Sequence, residues 1–193
     1  MKVKVLASGS KGNVTYIEYE NTKILIDLGM TTHYVEDKLR DMNVSPREID
    51  AILITHTHND HIVGLKAFEK KYNIPLYISN KMSQVISVNN SVFITKEMII
   101  KEMNIKVIRT SHDIESYGYI INDELVYITD TGYINEKYFP MLKNKKMYIM
   151  ESNHDIEMLM DGPYPYNLKR RILSDKGHLS NEMCSEYLSK LIG

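Results

Sequence analysis

The chain has 193 residues, a formal net charge of −1 and a single cysteine. That length suffices for one domain with a sizeable core, which we expect to span residues 1–193. The near-neutral charge excludes a global polycation that would bind nucleic acid tightly and non-specifically. It does not exclude a nuclease, because bound metal ions can neutralise phosphate locally. The one cysteine, Cys184, excludes an internal disulfide and is expected to be a buried thiol.

Apolar and aromatic runs predict the strands, and longer amphipathic runs predict the helices. In chain order the predicted strands are 2–7, 14–20, 23–27, 50–54, 75–78, 105–110, 117–122, 125–129 and 147–150. The predicted helices are 32–42, 62–72, 135–144, 167–175 and 180–192. This mixture predicts an α/β or α+β class.

No apolar stretch approaches the roughly 20 residues that a membrane-spanning helix needs. The apolar part of residues 1–6 is too short for a signal peptide and fits a first strand better. We therefore expect a cytoplasmic protein without a membrane partner.

Residues 55–61, Thr-His-Thr-His-Asn-Asp-His, are the most informative part of the chain. Three imidazoles and a carboxylate within six residues suit a divalent cation such as Zn²⁺. Because alternate side chains of an extended segment share a face, His56 and His58 can bind one ion. After a turn, Asp60 and His61 can bind a second ion, and two such ions can share a hydroxide. The alternative, a solvated polar loop, would rarely offer four ligand-type residues directly after the apolar strand 51–54.

Other polar residues follow predicted strands, and each has a simpler explanation as well. His112 on spacing alone is more often a surface or core histidine than a ligand. Asp130 could belong to an ordinary Asp-Thr-Gly turn. Glu151 ends a strand. His178 could simply precede a helix that Ser180 or Asn181 caps, without any catalytic role.

Three further segments could contact a substrate. Ser8, Ser10 and Asn13 lie in a glycine-containing loop that could either bind phosphate or simply connect two strands. Residues 169–171, Lys-Arg-Arg, could be a solvated surface or a contact to phosphates. Tyr164 and Tyr166 flank Pro165 and could stack on a base.

The His-x-His-x-Asp-His pattern resembles the signature of the metallo-β-lactamase fold superfamily. Further segments are similar to the WalJ/YycJ branch of that superfamily, which lies near the ribonuclease Z-like phosphodiesterases and is linked to DNA exonuclease activity. These segments are Ser8–Asn13, Ser111–Asp113, Thr129–Gly132, Glu151–Asp155 and Tyr164–Glu182. The resemblance covers nearly the whole chain and implies an αββα sandwich, two β-sheets flanked by helices.

The resemblance also implies roles for the candidate residues. His112 would join His56 and His58 at the first ion, and Asp130 would bridge to a second ion held by Asp60 and His61. Asp60 would lie near the metal-bound hydroxide that attacks phosphorus, while Glu151 and His178 would move a proton to the leaving group. Asn153 and His154, with the loop residues Ser8, Ser10 and Asn13, would contact the substrate.

One departure from the branch concerns its last metal-binding histidine, which lies on a C-terminal strand that these 193 residues do not include. We therefore expect two divalent ions, Zn²⁺ or Mn²⁺, with a weaker second site, and a possible homodimer formed over the missing strand.

The resulting hypothesis is a metal-dependent phosphodiester hydrolase, most simply a nuclease acting on DNA ends. Two alternatives are a phosphodiesterase for a small or cyclic nucleotide and a non-catalytic relative that only binds metal or nucleic acid.

Overall fold

The chain forms two mixed β-sheets with accompanying α-helices in a computed structural model that describes residues 1–192. Gly193, the last residue of the predicted domain, lies outside the described residues. The strands are β1 (Lys2–Ala7), β2 (Val14–Tyr19), β3 (Thr22–Ile26), β4 (Ala51–Leu53), β5 (Leu76–Ile78), β6 (Ser91–Phe93), β7 (Glu97–Ile100), β8 (Met103–Arg109), β9 (Tyr117–Ile121), β10 (Leu125–Ile128) and β11 (Met147–Met150). The helices are α1 (Thr32–Arg40), α2 (Asn59–Ile62), α3 (Leu65–Tyr72), α4 (Phe139–Leu142), α5 (Ile156–Asp161), α6 (Tyr166–Ile172) and α7 (Asn181–Leu191). This content confirms the α+β prediction.

The chain divides into two compact units, one of residues 1–104 and one that begins at Ile105. The single domain over 1–193 stays a prediction. Within the described residues no helix is both long and apolar enough to cross a bilayer.

The first unit contains a six-stranded sheet in the order β1-β2-β3-β4-β5-β6. The strands β1, β2 and β3 pair antiparallel, whereas β3, β4, β5 and β6 pair parallel. The strand β4 and the last three residues of β3, Ile24–Ile26, are apolar and buried, as expected for parallel strands covered on both faces. Because β3 and β4 run in the same direction, the residues that follow them emerge at the same edge of the sheet.

The second sheet has the order β11-β10-β9-β8-β7, and the boundary between the units falls within β8. In the second unit β8, β9 and β10 pair antiparallel in turn, and β10 pairs parallel with β11. The carboxyl ends of β8, β10 and β11 therefore lie at one edge. The segments that follow these three ends carry His112, Asp130 and Glu151.

The elements that differ from the sequence prediction have local explanations. The sequence prediction missed β6, β7 and α5. The strands β6 and β7 have only three and four residues, and α5 is too short to show a helical period. The helix predicted over 62–72 is interrupted at Gly64, whose N–H donates to the Leu28 carbonyl at 2.9 Å. A Cβ at Gly64 would lie 1.9 Å from the carbonyl oxygen of Met30. This close approach explains the break, because only glycine fits there.

Two further predictions concern the last helices and the cysteine. The helix predicted over 135–144 is a 3-10 turn at Glu136–Tyr138 followed by the short α4. The helix predicted over 180–192 is α7, which Ser180 caps by accepting a hydrogen bond from the Met183 N–H. Cys184 is a buried free thiol, as predicted.

Candidate metal centre

A buried carboxylate organises the histidine motif of the first unit. Asp27 follows β3 and lies beside Thr55, which follows β4, because those strands are parallel neighbours. The Asp27 carboxylate is fully buried and accepts hydrogen bonds from the Thr55 N–H, the Thr55 hydroxyl and the His61 Nδ1, each at 2.8 Å. Burial raises the pKa of the Asp27 carboxyl, against the opposing effect of the His61 charge.

These bonds assign the ring nitrogens that can bind metal. The Thr55 hydroxyl gives its only proton to Asp27, so it can only accept from the His56 Nδ1 at 3.0 Å. The His61 Nδ1 likewise donates to Asp27. In both rings the remaining nitrogen, Nε2, therefore carries the lone pair, as in metal sites whose ligands are oriented by an outer hydrogen-bond partner.

The donor atoms of the motif converge within the first unit. The His56 Nε2 and the His58 Nδ1 are 3.1 Å apart, a separation suited to two ligands of one cation. The His61 Nε2 is 3.6 Å from the Asp60 Oδ2. The residues therefore fit the divalent cation that the sequence predicts. They form one pair of histidines, His56 and His58, and one pair of a histidine and a carboxylate, His61 and Asp60.

Asn13 contacts these candidate ligands directly. Its Nδ2 lies 3.0 Å from the His61 Nε2 and 3.3 Å from the Asp60 Oδ2. Its Oδ1 accepts a hydrogen bond from the Gly9 N–H, which closes the loop after β1. Ser8 and Ser10 are exposed on that loop. A role for Asn13 in positioning the ligands thus accompanies the predicted role in substrate binding.

The second unit carries its own cluster of metal-binding residue types. His112, Asp130 and His178 each offer a ligand atom, and these atoms lie within 4.8 Å of one another. The His112 Nδ1 contacts the Gly177 carbonyl oxygen at 3.2 Å, so it donates there and Nε2 carries the lone pair. The His112 Nε2 is 3.4 Å from Asp113, whose carboxylate also accepts a hydrogen bond from Arg171.

A carboxylate–imidazole pair lies beside this cluster. The His178 Nδ1 is 2.5 Å from the Glu151 Oε1 and 3.6 Å from the Asp130 Oδ1. The other Glu151 oxygen accepts hydrogen bonds from the backbone N–H groups of Thr131 and Leu179, which fix the carboxylate. Burial by itself lowers the pKa of His178, but the hydrogen bond and charge of Glu151 outweigh it, so the pKa is raised. Glu151 therefore favours the protonated imidazole.

Two predicted substrate residues lie next to this pair. Asn153 is exposed, and its N–H donates to the Leu179 carbonyl at 3.0 Å. The backbone of His154 forms an isolated bridge with Ser180. Its Nε2 is buried and makes no hydrogen bond to any described residue. Burial, followed by the charge of His178, lowers the pKa of His154.

Sequence reasoning missed three residues that make these hydrogen bonds, namely Asp27 and Thr55 in the first unit and Thr131 in the second. The sequence offered a signal for Asp27, since it follows an apolar strand as Asp130 does. In the structure both residues adopt a positive φ, 60° for Asp27 and 47° for Asp130. Such a backbone is uncommon for residues other than glycine, although aspartate tolerates it better than most. Thr55 and Thr131 had no signal, because their roles depend on bonds to residues distant in sequence.

Replacing Asp27 by alanine should lower the free energy of unfolding of the metal-free protein by about 3 kcal/mol or more. The substitution leaves three donors, two on Thr55 and one on His61, without their buried acceptor. Urea unfolding measures the change. The control is Asp41→Ala, at an exposed carboxylate, which should stay within about 0.5 kcal/mol of wild type. Equal losses in the two variants would contradict the organising role of Asp27.

Comparison with known proteins identifies the family of this chain. The model of the metallo-beta-lactamase superfamily matches residues 7–81. The exodeoxyribonuclease WalJ of Streptococcus pneumoniae is 36% identical over 207 aligned residues, which cover 100% of this chain and 77% of the relative. The exodeoxyribonuclease YycJ of Bacillus anthracis is 36% identical over 191 aligned residues, which cover 92% of this chain and 72% of the relative.

Among solved structures, the metallo-beta-lactamase fold protein YhfI from Bacillus subtilis superposes with a TM-score of 0.76 at 17% identity. The superposition covers 99% of this chain and 82% of YhfI, and it confirms the fold predicted from the sequence. The superfamily implies binding of a divalent metal, which the two donor clusters fit. This chain therefore belongs to the metallo-beta-lactamase superfamily and, within it, to the WalJ/YycJ family of hydrolases.

Proposed function

We propose that this protein is a metal-dependent exodeoxyribonuclease that hydrolyses phosphodiester bonds in the cytoplasm. Similarity to the exodeoxyribonuclease WalJ over the whole chain supports the substrate class. The Glu151–His178 pair beside His112 and Asp130 carries the mechanistic part of the proposal, because a phosphodiester has a poor leaving group that needs a proton donor.

The proposed ligands follow the motif and the resemblance. His56, His58 and His112 would hold one ion, while Asp60, His61 and Asp130 would hold a second. The 3.1 Å approach of the two ring nitrogens in the first unit supports the first assignment. Zn²⁺ is the expected metal, with Mn²⁺ as the alternative.

The bound ions would supply charge neutralisation at the phosphoryl oxygens and would activate the attacking water. The remaining work falls to side chains of this chain. Asp60 orients the attacking water, and His178 gives a proton to the departing oxygen. Glu151 holds the His178 ring through Nδ1, so Nε2 is the nitrogen that faces the leaving group.

Substrate contacts complete the proposal. Asn153 and His154 lie next to the Glu151–His178 pair, so they contact the nucleotide at the cleaved bond. Ser8 and Ser10, on the exposed loop after β1, bind a phosphate of the same strand. The possible homodimer stays a prediction, which light scattering of the purified protein measures.

A substrate panel tests the function directly. Incubation with end-labelled DNA should release mononucleotides in the presence of Mn²⁺ or Zn²⁺, and a chelator should abolish the release. Hydrolysis of a cyclic nucleotide without any action on DNA would instead favour the small-nucleotide phosphodiesterase. Metal binding without turnover of either substrate would favour the non-catalytic relative.

A further inference from the structure

An unusual share of the exposed apolar surface of the second unit lies in one segment. Of the eight large hydrophobic side chains that are exposed in the described part of that unit, six lie between residues 156 and 173. Met158 is 76% exposed and Tyr166 is 67% exposed. The others are Ile156, Met160, Tyr164 and Leu173. Exposed large hydrophobic side chains that are concentrated in one part of a folded protein can mark an interaction site.

The connection between α5 and α6 holds an aromatic side chain in the solvent. Tyr164, 53% exposed, lies between Pro163 and Pro165, and Tyr166 begins α6 directly afterwards. Proline fixes its own φ and biases the preceding residue towards an extended backbone. The Tyr164 backbone is therefore restricted before any ligand binds. An aromatic platform that is already ordered loses little conformational entropy when a ring stacks on it.

The same segment is basic at its C-terminal side. Residues 164–176 contain four cations, Lys169, Arg170, Arg171 and Lys176, against one acid, Asp175. Lys169 donates to the Met160 carbonyl and so ties α6 to the end of α5, while Arg171 is bound to Asp113. Arg170 is exposed between these two anchored residues. Lys169 and Arg171 are thus held by partners within the protein, whereas Arg170 is exposed on the same helix, where it can meet a phosphate.

Hydrogen bonds connect this segment to the candidate metal centre of the same unit. The His178 N–H donates to the Ile172 carbonyl at 2.9 Å, so the turn that carries His178 continues from the end of α6. Arg171 binds Asp113, which contacts the His112 ring. A strand lying along α6 would therefore lead towards the Glu151–His178 pair.

We propose that residues 156–173, the α5–α6 hairpin, bind single-stranded DNA by stacking unpaired bases on Tyr164 and Tyr166 while Arg170 contacts a phosphate. This inference deepens the proposed nuclease function and rests on it for the choice of DNA. Exposed aromatic rings next to cations are the combination that binds single strands, because every unpaired base offers a π-face and every nucleotide a negative charge. A duplex keeps its bases stacked on each other and gains less from the two tyrosines.

Binding of a labelled phosphorothioate oligothymidylate to the metal-loaded full chain, followed by fluorescence anisotropy, tests the hairpin. The double variant Tyr164→Ala/Tyr166→Ala should raise the Kd about tenfold or more. Arg170→Ala should reduce the slope of log K against log salt by about one. Neither variant should change turnover of bis(p-nitrophenyl) phosphate, which offers no strand. The controls are Phe93→Ala, at an exposed aromatic ring of β6, and Arg47→Ala, at an exposed cation, and both should bind like wild type.

Two outcomes would overturn the hairpin proposal. One is an unchanged Kd in the double tyrosine variant, and if a dimer dissociates at the same time, this surface is a contact between two copies. The other is that the variant's Kd for a blunt duplex of the same length rises as much as its Kd for the single strand. Binding is measured without cleavage, so the two proposals can fail independently. If the wild-type protein does not degrade DNA, the proposed function is wrong, but the binding result still tests the hairpin.

Discussion

Replacing His178 by alanine should lower turnover of DNA by about 10²–10⁴-fold, the usual contribution of a positioned proton donor. The loss follows from the geometry, since Glu151 holds the His178 Nδ1 at 2.5 Å and favours the protonated ring. The loss should be much smaller for bis(p-nitrophenyl) phosphate, because nitrophenolate departs without a proton. Steady-state kinetics on the two substrates measure the difference.

The control for this variant is His33→Ala, at an exposed histidine of α1, which should leave both rates unchanged. Glu151→Gln should act in the same direction as His178→Ala, because it removes the charge that favours the protonated imidazole. Bound metal should stay constant in the His178 variant. Loss of an ion would show that His178 is a ligand, a role that its proximity to His112 and Asp130 also permits. Equal losses on both substrates would remove the proton-donor assignment.

Replacing His58 or His112 by alanine should each weaken binding of the same metal ion. Losing a direct ligand should cost more than the roughly 10–100-fold in affinity that loss of an outer hydrogen-bond partner costs. Turnover of both DNA and the nitrophenyl ester should fall, because neither reaction proceeds without the ion. Calorimetric titration of the stripped protein with Zn²⁺ measures affinity and stoichiometry together.

The double variant His58→Ala/His112→Ala completes a cycle for this prediction. If both rings bind one ion, the second substitution should cost little after the first, so the two effects should be far from additive. Additive losses, or loss of two different ions, would mean that the two histidines belong to separate sites. Asp113→Ala serves as the comparison, since it removes a neighbour of His112 without removing a proposed ligand.

The sequence predicted much of the fold because local signals and tertiary structure agree in the apolar strands. The strands β4 and β10 are short and apolar, and residues of such composition have few alternatives to burial in a sheet. The elements that sequence reasoning missed are β6, β7 and α5, which are short and carry mostly exposed side chains, apart from Met98 and Ile100 of β7 and Leu159 of α5. Their conformation depends on neighbours in the fold and not on a hydrophobic period.

The candidate site also has a part that the sequence revealed and a part that only the structure revealed. The sequence by itself determined the motif from His56 to His61, since the spacing of its ligands is local, and the resemblance it carries led to His112, Asp130, Glu151 and His178. Only the tertiary structure showed that Asp27 holds the His61 ring and that Glu151 binds the His178 ring, across 34 and 27 residues of sequence. The first pairing depends on strand order, because the parallel neighbours β3 and β4 bring distant chain segments to one edge. The second depends on the turn after α6, whose Leu179 N–H also donates to Glu151. Strand order depends on how apolar faces pack together in the whole fold, which no single segment of the chain determines.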